Sequence, residues 1–277
     1  MINEAEKAGK IRKGGTIYEG TAGSTGISLS LVAKAKGMNC HVFVPNDQAK
    51  EKTDMLEKFG AKVERVPPVP FVDPLHFCNR AKKCGEENEN GFFSDQFETD
   101  ANWRAHYLTT GPEIWRQTGG KLDGFVMGAG TSGTIAGVSK FLKEKNEEIK
   151  VVLADPPGSS LYHKVNNDVC YAPEEEEGKR RRNQVDTVAE GVGITGRVTN
   201  NFMEAKIDKA YRVTDQQCVE MANYLLNNEG LFIGSSSALN CVGAVMLAKE
   251  LGPGHTIVRI PPFNFSKIVL SHFLFYI

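Results

Sequence analysis

The sequence lacks an excess of charge of either sign and lacks any close pairing of cysteines. Its 33 Lys and Arg residues and 34 Asp and Glu residues leave a formal net charge of −1, which argues against a nucleic acid or an anionic membrane surface as partner. The six cysteines are scattered, with no C-x-x-C pair and no histidine at metal-ligand spacing. We therefore expect reduced thiols in an intracellular protein and no metal site.

Long hydrophobic runs are also missing. Within the apolar segment of residues 261–277, the longest uncharged run has about 10 residues, whereas a helix that crosses a bilayer needs about 20. The first residues, MINEAEKAGKI, have an amphipathic helix pattern with acidic residues and no hydrophobic targeting segment. Membrane association is not expected, and the character of both ends indicates a chain truncated at each of them.

Strand and helix patterns alternate along the chain. The strand patterns include TIYEG, CHVFVP, AKVERV, DGFVM, KVVLAD, KAYRV and HTIVRI. One helical segment is predicted to break at Gly111-Pro112, because proline lacks the backbone N–H that an interior turn needs. The charge run at residues 174–182 interrupts the alternation as a solvated loop. The pattern indicates an α/β protein with parallel sheets, helices on both faces and ligand sites at the carboxyl ends of strands.

Three strand-to-helix junctions concentrate glycine, serine and threonine. They lie at residues 19–28, 128–134 and 233–240. A helix N-terminus offers free N–H groups and the positive end of the helix dipole, so each junction is a potential anion site. Three such junctions in one chain favour a ligand or ligands with several anionic groups.

The junction at residues 128–134 is open to two interpretations. Its G-x-G-x-x-G run, with Asp155 at the end of the next strand, matches the spacing of a dinucleotide site. The same loop carries three hydroxyls, on Thr131, Ser132 and Thr134, which suit a compact terminal phosphate better than a pyrophosphate. The residues alone favour a monophosphate and leave the dinucleotide as the alternative.

Three stretches in order carry a family resemblance: EGTAGSTGISLSLVAKAKGM, DQFETDANWRAHYLTTGPEIWRQTGGKLDGFVMGAGTSGTIAG and EGLFIGSSSA. Together they resemble the cysteine synthase and cystathionine β-synthase family of fold-type II pyridoxal-phosphate enzymes, above all its fungal cysteine synthase 2 group. The resemblance covers residues 2–260. It implies pyridoxal 5'-phosphate as cofactor and a tryptophan synthase β-like fold of two open, twisted, mostly parallel sheets flanked by helices.

The resemblance also implies a division into domains. A smaller domain, residues 1–110, would carry the loop for the substrate carboxylate, and a larger one, residues 111–260, would bind the cofactor phosphate. Residues 261–277 would form an atypical apolar tail. Family members are usually homodimers, which is what we expect of the full-length protein.

Site residues follow from the family's motifs. The G-T-G-G-T loop around the cofactor phosphate corresponds to Gly130, Thr131, Ser132, Gly133 and Thr134. The glycine beside the cofactor ring corresponds to Gly234. The loop that binds the substrate's α-carboxylate corresponds to Thr21, Ala22, Gly23, Ser24 and Thr25, and Gln96 matches the glutamine that faces the same carboxylate.

Ser24 departs from the family's motif, and the match of Asp155 changes the interpretation of that residue given above. Ser24 stands where the family has an asparagine that contacts the cofactor's phenolic oxygen, and the shorter reach of serine weakens any assignment of substrate. Asp155 corresponds to the acid of a D-P turn in the family, which argues against a role as ribose ligand.

Two groups that act on the cofactor's electronics are missing from the pattern. The family's Schiff-base lysine lies in an S-x-K-D-R motif before the first helix, and the sequence opens inside that helix. Lys7, Lys10 and Lys13 match surface positions of the helix. The serine that contacts the cofactor's ring nitrogen has no counterpart after the last strand. We therefore expect no catalytic residue in the printed chain and little or no activity from it.

The resemblance implies a β-replacement reaction. An O-activated serine would lose its α-proton and its leaving group and take up sulfide to give L-cysteine, in the cytoplasm or the mitochondrion. One alternative is a non-catalytic fragment or pseudoenzyme that binds phosphate-bearing ligands or a partner subunit. A second alternative, an NAD-dependent oxidoreductase, explains one of the three junctions and leaves two without a purpose.

Overall fold

The computed structural model describes residues 1–21, 23–48, 50–172, 185, 187–260 and 275–276. The chain forms two compact units, Met1–Ala101 and Asn102–Ile277, each built around one sheet. The domain limits at residues 110 and 260 stay predictions. The charge run at residues 174–182 lies outside the described residues, as does the apolar tail apart from residues 275–276.

The first unit holds four parallel strands. They are β1 (Thr16–Gly20), β2 (Asn39–Pro45), β3 (Lys62–Val66) and β4 (Gly91–Phe93). Its helices are α1 (Ile2–Lys7), α2 (Ser24–Lys36), α3 (Lys50–Lys58) and α4 (Phe77–Glu87), and α5 (Asp100–Ala105) spans the boundary of the unit in the chain. The strand order is β3-β2-β1-β4, and every pairing in it is parallel.

The central strands of this sheet carry apolar residues at successive positions, so apolar side chains point to both faces of the sheet. Helices cover both of these faces. Ile17 and Val42 belong to a core cluster with α2, whereas Tyr18 and Phe43 belong to a second cluster with α4. At the end of β1 the backbone of α4 comes so close that a Cβ on Gly20 would lie 2.7 Å from two backbone atoms of Cys78. Only glycine fits there, and this contact fixes α4 against the carboxyl end of β1.

The second unit holds a sheet with the order β7-β6-β5-β8-β9. Its parallel strands are β5 (Gly124–Met127), β6 (Lys150–Asp155), β7 (Lys209–Arg212) and β8 (Thr256–Arg259), and the two-residue β9 (Phe275–Tyr276) is antiparallel to β8. Its helices are α6 (Gly111–Gln117), α7 (Gly133–Lys145), α8 (Leu161–Asn167), α9 (Asn200–Met203), α10 (Asp215–Glu229) and α11 (Ser235–Leu251). One core cluster packs α7 on one face of the sheet, and another packs α11 on the opposite face.

The predicted fold class is confirmed: two mostly parallel sheets are flanked by helices. The predicted helix break at Gly111-Pro112 is wrong, since the chain stays helical from α5 through a π-helical turn, His106–Thr110, into α6. Pro112 falls in the first turn of α6, where a missing N–H is tolerated. No helix in the described part of the chain is long and apolar enough to cross a membrane.

Candidate active site

The β5–α7 loop, residues 128–134, joins the carboxyl end of β5 to the start of α7 in the second unit. Ser132 is the N-cap of α7 and has a left-handed backbone, with φ of 69° and ψ of −4°. Its hydroxyl oxygen is buried and has no hydrogen-bond partner within the described residues. A strained serine with an unsatisfied hydroxyl, at the positive end of a helix, is suited to an anionic ligand.

Two glycines of this loop are required by close contacts. A Cβ on Gly130 would lie 2.1 Å from the carbonyl oxygen of Gly191, and a Cβ on Gly133 would lie 2.0 Å from Oδ1 of Asn102. Asn102 also donates from Nδ2 to Oγ1 of Thr131 at 3.1 Å. The loop is therefore held by polar neighbours on two sides, in a conformation that side chains at its glycines would prevent.

His106 holds the far end of the same loop. Its Nε2 lies 3.2 Å from Oγ1 of Thr134, and its Nδ1 lies 2.9 Å from Oγ1 of Thr110 within the π-helical turn. Burial lowers the pKa of the imidazole, so the ring is neutral at physiological pH and has one donor and one acceptor nitrogen. The sequence pattern predicted only a core or capping role for His106 and gave no sign of its contact with Thr134.

Asn240 links the β5–α7 loop to the third junction. Its Oδ1 accepts from the backbone N–H of Gly128 at 2.7 Å, and its Nδ2 donates to the carbonyl of Ile260 at 2.8 Å. Asn240 lies on α11, whose N-cap is Gly234. One buried amide thus connects the first glycine of the loop with the helix that starts at the predicted ring-side glycine.

The β1–α2 loop, residues 21–26, is the corresponding feature of the first unit. Thr21 is buried, and its Oγ1 accepts from the N–H of Gly23 at 3.2 Å. Gly23 is the N-cap of α2 and caps it without a side chain, and no acidic residue lies in the first turn. Ser24 is exposed and Thr25 is half-buried, whereas Ala22 lies outside the described residues. This helix start is open to a small anion.

Gln96 is bound to the last two residues of β1, directly before this loop. Its Nε2 donates to the carbonyl of Gly20 at 3.0 Å and lies 3.5 Å from Oε1 of Glu19. Glu19 is fully buried and accepts from the N–H of Gly20 at 2.9 Å, from Oγ of Ser94 at 2.7 Å and from the N–H of Gln96 at 3.2 Å. Burial raises the pKa of the Glu19 carboxyl to about 7, against the hydrogen bonds that lower it.

Sequence reasoning passed over Glu19, although one signal was present. An acid followed by Gly20 closes the strand TIYEG, at a position where a strand covered on both faces should be apolar. A buried carboxylate at such a position needs hydrogen-bond donors. Those donors come from residues about 75 positions further along the chain, namely Ser94 and Gln96, as the sequence separations of their contacts show.

Asp155 closes β6 in the second unit and is completely buried. Its Oδ2 accepts from the N–H of Tyr162 at 2.8 Å and lies 3.9 Å from the guanidinium of Arg212. Arg212 also donates to the carbonyls of Pro156 and Ser159, so it holds the turn after Asp155. A carboxylate enclosed in this way is inaccessible to a ribose, which removes the main support for a dinucleotide site.

The lysines nearest the start of the chain are all exposed: Lys7, Lys10 and Lys13. Lys7 forms an ion pair with Glu4 on its own helix at 3.1 Å. Lys7 is the last residue of α1, whereas Lys10 and Lys13 follow the helix, so the predicted surface-helix positions are wrong for these two lysines.

Comparison with known proteins gives a consistent result. A family model described as pyridoxal-phosphate dependent enzyme matches residues 1–261. Cysteine synthase 2 of Schizosaccharomyces pombe is 52% identical over 99% of this chain and 73% of its own length. Cysteine synthase 2 of Neurospora crassa is 53% identical over 94% of this chain and 60% of its own length. The chain therefore spans between three fifths and three quarters of these curated relatives.

Two further relatives extend the comparison. The putative mitochondrial cysteine synthase of Saccharomyces cerevisiae is 49% identical over 94% of this chain and 69% of its own length. Among solved structures, an O-acetylserine dependent cystathionine beta-synthase from Helicobacter pylori superposes with a TM-score of 0.80. It is 30% identical, and the match covers 94% of this chain and 78% of that one.

The strain at Ser132 generates a stability prediction. Ser132→Gly should raise the free energy of unfolding of the ligand-free protein by about 1 kcal/mol, because it removes left-handed strain and an unsatisfied buried hydroxyl. Ser132→Ala, which removes only the hydroxyl, should gain less. Urea denaturation measures both changes, and a loss of stability in Ser132→Gly would show that the hydroxyl is already satisfied.

The raised pKa of Glu19 predicts a pH dependence of stability. Between pH 4.5, the ordinary pKa, and about 7, the folded protein holds a proton that the unfolded chain has lost, so stability falls as pH rises. The loss attributable to Glu19 should be roughly 3 kcal/mol between pH 5 and pH 8. The measurement is the difference in unfolding free energy between the wild type and Glu19→Gln at each pH, in which the contribution of Asp155 cancels. A difference that does not change with pH would contradict the prediction.

Proposed function

The chain belongs to the pyridoxal-phosphate dependent enzymes, and from this premise we propose that it serves the synthesis of L-cysteine by β-replacement on an O-activated serine. The substrates are then a small amino acid and sulfide. The observation that carries the proposal is the β5–α7 loop, whose chemistry fits the single phosphate of the cofactor. The names of the relatives support the reaction, and the site residues of this chain support the binding steps.

The β5–α7 loop meets the needs of a phosphate monoester. It combines the N-terminal N–H groups of α7 with the hydroxyls of Thr131, Ser132 and Thr134, and that of Ser132 is buried without a partner in the described part of the chain. Gly130 and Gly133 leave the backbone free for close approach. These five residues would hold the phosphate of pyridoxal phosphate, and Gly234, the N-cap of α11 in the same unit, would lie beside the rest of the cofactor. When bound, pyridoxal phosphate supplies the electron sink for the α-carbanion of the substrate.

The β1–α2 loop and Gln96 would bind the substrate's α-carboxylate. Thr21, Gly23 and Thr25 lie at or before the first turn of α2, where the helix dipole favours an anion. Ala22 completes the family motif in sequence. Fixing the carboxylate orients the α-carbon and its proton, which lowers the entropic cost of the reaction. This is the step that the described residues of the first unit would perform.

None of the lysines of the printed sequence matches the family's Schiff-base lysine. We therefore propose that the chain of 277 residues binds cofactor and substrate and converts little substrate to product. The non-catalytic alternative shares the binding and lacks the turnover even when an amine is supplied. A homodimer and a cytoplasmic or mitochondrial compartment complete the proposal, the latter from the relative named as putative mitochondrial.

Ligand binding is tested by thermal stability. Pyridoxal phosphate at 100 times its Kd should raise the free energy of unfolding by about 2.7 kcal/mol, which is a rise of several degrees in Tm. Thr131→Ala should reduce the shift because it removes one hydroxyl from the loop. Thr118→Ala is the matched control, since the Thr118 hydroxyl donates only to carbonyls of its own helix. A shift with NAD and none with pyridoxal phosphate would instead favour the oxidoreductase.

Turnover is tested by measuring cysteine formed from O-acetyl-L-serine and sulfide in the presence of pyridoxal phosphate. The printed chain should give no rate above the uncatalysed one, and added methylamine, a free primary amine, should restore part of the rate. Gln96→Ala should then raise KM for O-acetyl-L-serine more than it lowers kcat. Cysteine formed without the amine would mean that a lysine of this chain takes the role of the Schiff-base lysine. If no cysteine forms under either condition, the result favours the non-catalytic alternative.

A further inference from the structure

Glu19 is a buried carboxyl that the proposed function does not use. It stands two residues before Thr21, the first residue of the β1–α2 loop, and its side chain shares Gln96 with the carbonyl of Gly20, the residue directly before that loop. Its donors are the N–H groups of Gly20 and Gln96, the Gln96 amide and the Ser94 hydroxyl. All of these donors are neutral. The carboxyl is therefore stabilised by hydrogen bonds alone in the described part of the chain.

The titratable groups that interact with Glu19 do not neutralise the negative charge of its carboxylate. Asp95 lies next to Ser94 and adds a second negative charge, and the Cys40 thiol faces Glu19 from β2. On α4, the titratable groups near Gly20 are the Cys78 thiol, whose Sγ lies 3.8 Å from the Gly20 carbonyl, and His76 at the N-cap. The first turn of α2 carries no acidic residue and contributes only its dipole.

A bound carboxylate would compete with Glu19 for the same groups. Gln96 Nε2 has two hydrogens, and Glu19 Oε1 and the Gly20 carbonyl both lie within hydrogen-bond distance of it. A second anion at the loop that Gln96 borders would place two like charges around one donor in a buried setting. Like charges in such a setting raise the pKa of one of them, and the least costly relief is a proton on the buried one.

The hydrogen-bond network has room for that proton. The Ser94 Oγ lies 2.7 Å from Glu19 Oε2, and a hydroxyl reverses from donor to acceptor by rotation. We propose that Glu19 is a proton-linked positioning residue of the β1–α2 loop: a carboxylate ligand binds there with uptake of one proton by Glu19 from solvent. The net charge of the cluster is then the same before and after binding. The inference rests on the proposed function, because it takes the ligand to be the α-carboxylate of an amino acid.

The other properties of Glu19 agree with this role. Burial brings its pKa to about 7, so the carboxyl exchanges its proton within the physiological range. Below that pH the site is already protonated and binding takes up little. Above that pH, each binding event takes up one proton from solvent, so the affinity of the ligand should fall by about tenfold per pH unit.

The test is calorimetric titration of the protein, mixed with pyridoxal phosphate, with L-alanine as the probe. L-alanine has the α-carboxylate but no leaving group, so it binds without elimination. Titrations at pH 8 in HEPES and in triethanolamine, two tertiary-amine buffers with different ionisation enthalpies, give the number of protons taken up. The wild type should take up nearly one proton more than Glu19→Gln, a difference in which protons exchanged by the ligand's own amine cancel. At pH 6 the difference should be close to zero.

Two variants secure the interpretation. Glu57→Gln, the same chemical change on an exposed face of α3, should leave the proton uptake at the wild-type value. Ser94→Ala keeps Glu19 and removes a hydrogen bond that favours its ionised form, so the pH of half-maximal uptake should move upward. This second variant serves if Glu19→Gln does not fold.

The outcomes separate the two proposals. Binding of L-alanine with equal proton uptake in the wild type and Glu19→Gln, or with an unmoved midpoint in Ser94→Ala, would overturn the role of Glu19 and leave the proposed function standing. No binding of L-alanine at any pH would contradict the proposed function and, with it, this inference.

Discussion

The constraint on which the site depends is the close approach of backbone to backbone at the carboxyl ends of parallel strands. At Gly130 the carbonyl of Gly191 occupies the place of a side chain, and at Gly20 the backbone of α4 does so. Within each sheet, parallel strands bring such loops to the edge formed by their carboxyl ends, and glycine is what lets each loop turn directly into a helix. The helix N–H groups are then left without side-chain caps at α2, α7 and α11, and they become available to a ligand.

The sequence predicts this frame because its signals are local. Strand and helix periods, and the glycine, serine and threonine at each junction, are all read within a few neighbouring residues, and the two parallel sheets follow from their alternation. The groups that position the loops are not local. Asn102, His106 and Asn240 reach the β5–α7 loop from 29, 28 and 112 residues away, and their residue types have no distinctive spacing. The continuous helix at Pro112 was missed because a π-helical turn before it has no sequence signature of its own.

Two buried acids show why residue type alone does not define a role. Glu19 and Asp155 both stand at the carboxyl end of a parallel strand, and burial raises both pKa values to about 7. Asp155 has the Arg212 guanidinium at 3.9 Å, and that side chain also holds the carbonyls of the following turn. Glu19 has neutral donors. Asp155 is therefore fixed in a structural turn by an opposite charge. Glu19 has no such partner among the described residues, so in our proposal its protonation state changes when a ligand binds beside it.

The two anion sites therefore differ in how they depend on pH. The groups that position the β5–α7 loop are the amides of Asn102 and Asn240 and the imidazole of His106, which burial keeps neutral, so none of these three side chains titrates between pH 7 and 8. The β1–α2 loop adjoins a carboxyl that does titrate there. A phosphate held by helix dipole and hydroxyls stays bound across this range, while a carboxylate beside Glu19 is released as the pH rises. With the proton linkage proposed above, pH acts on exchange of the amino acid and leaves retention of the cofactor phosphate unaffected.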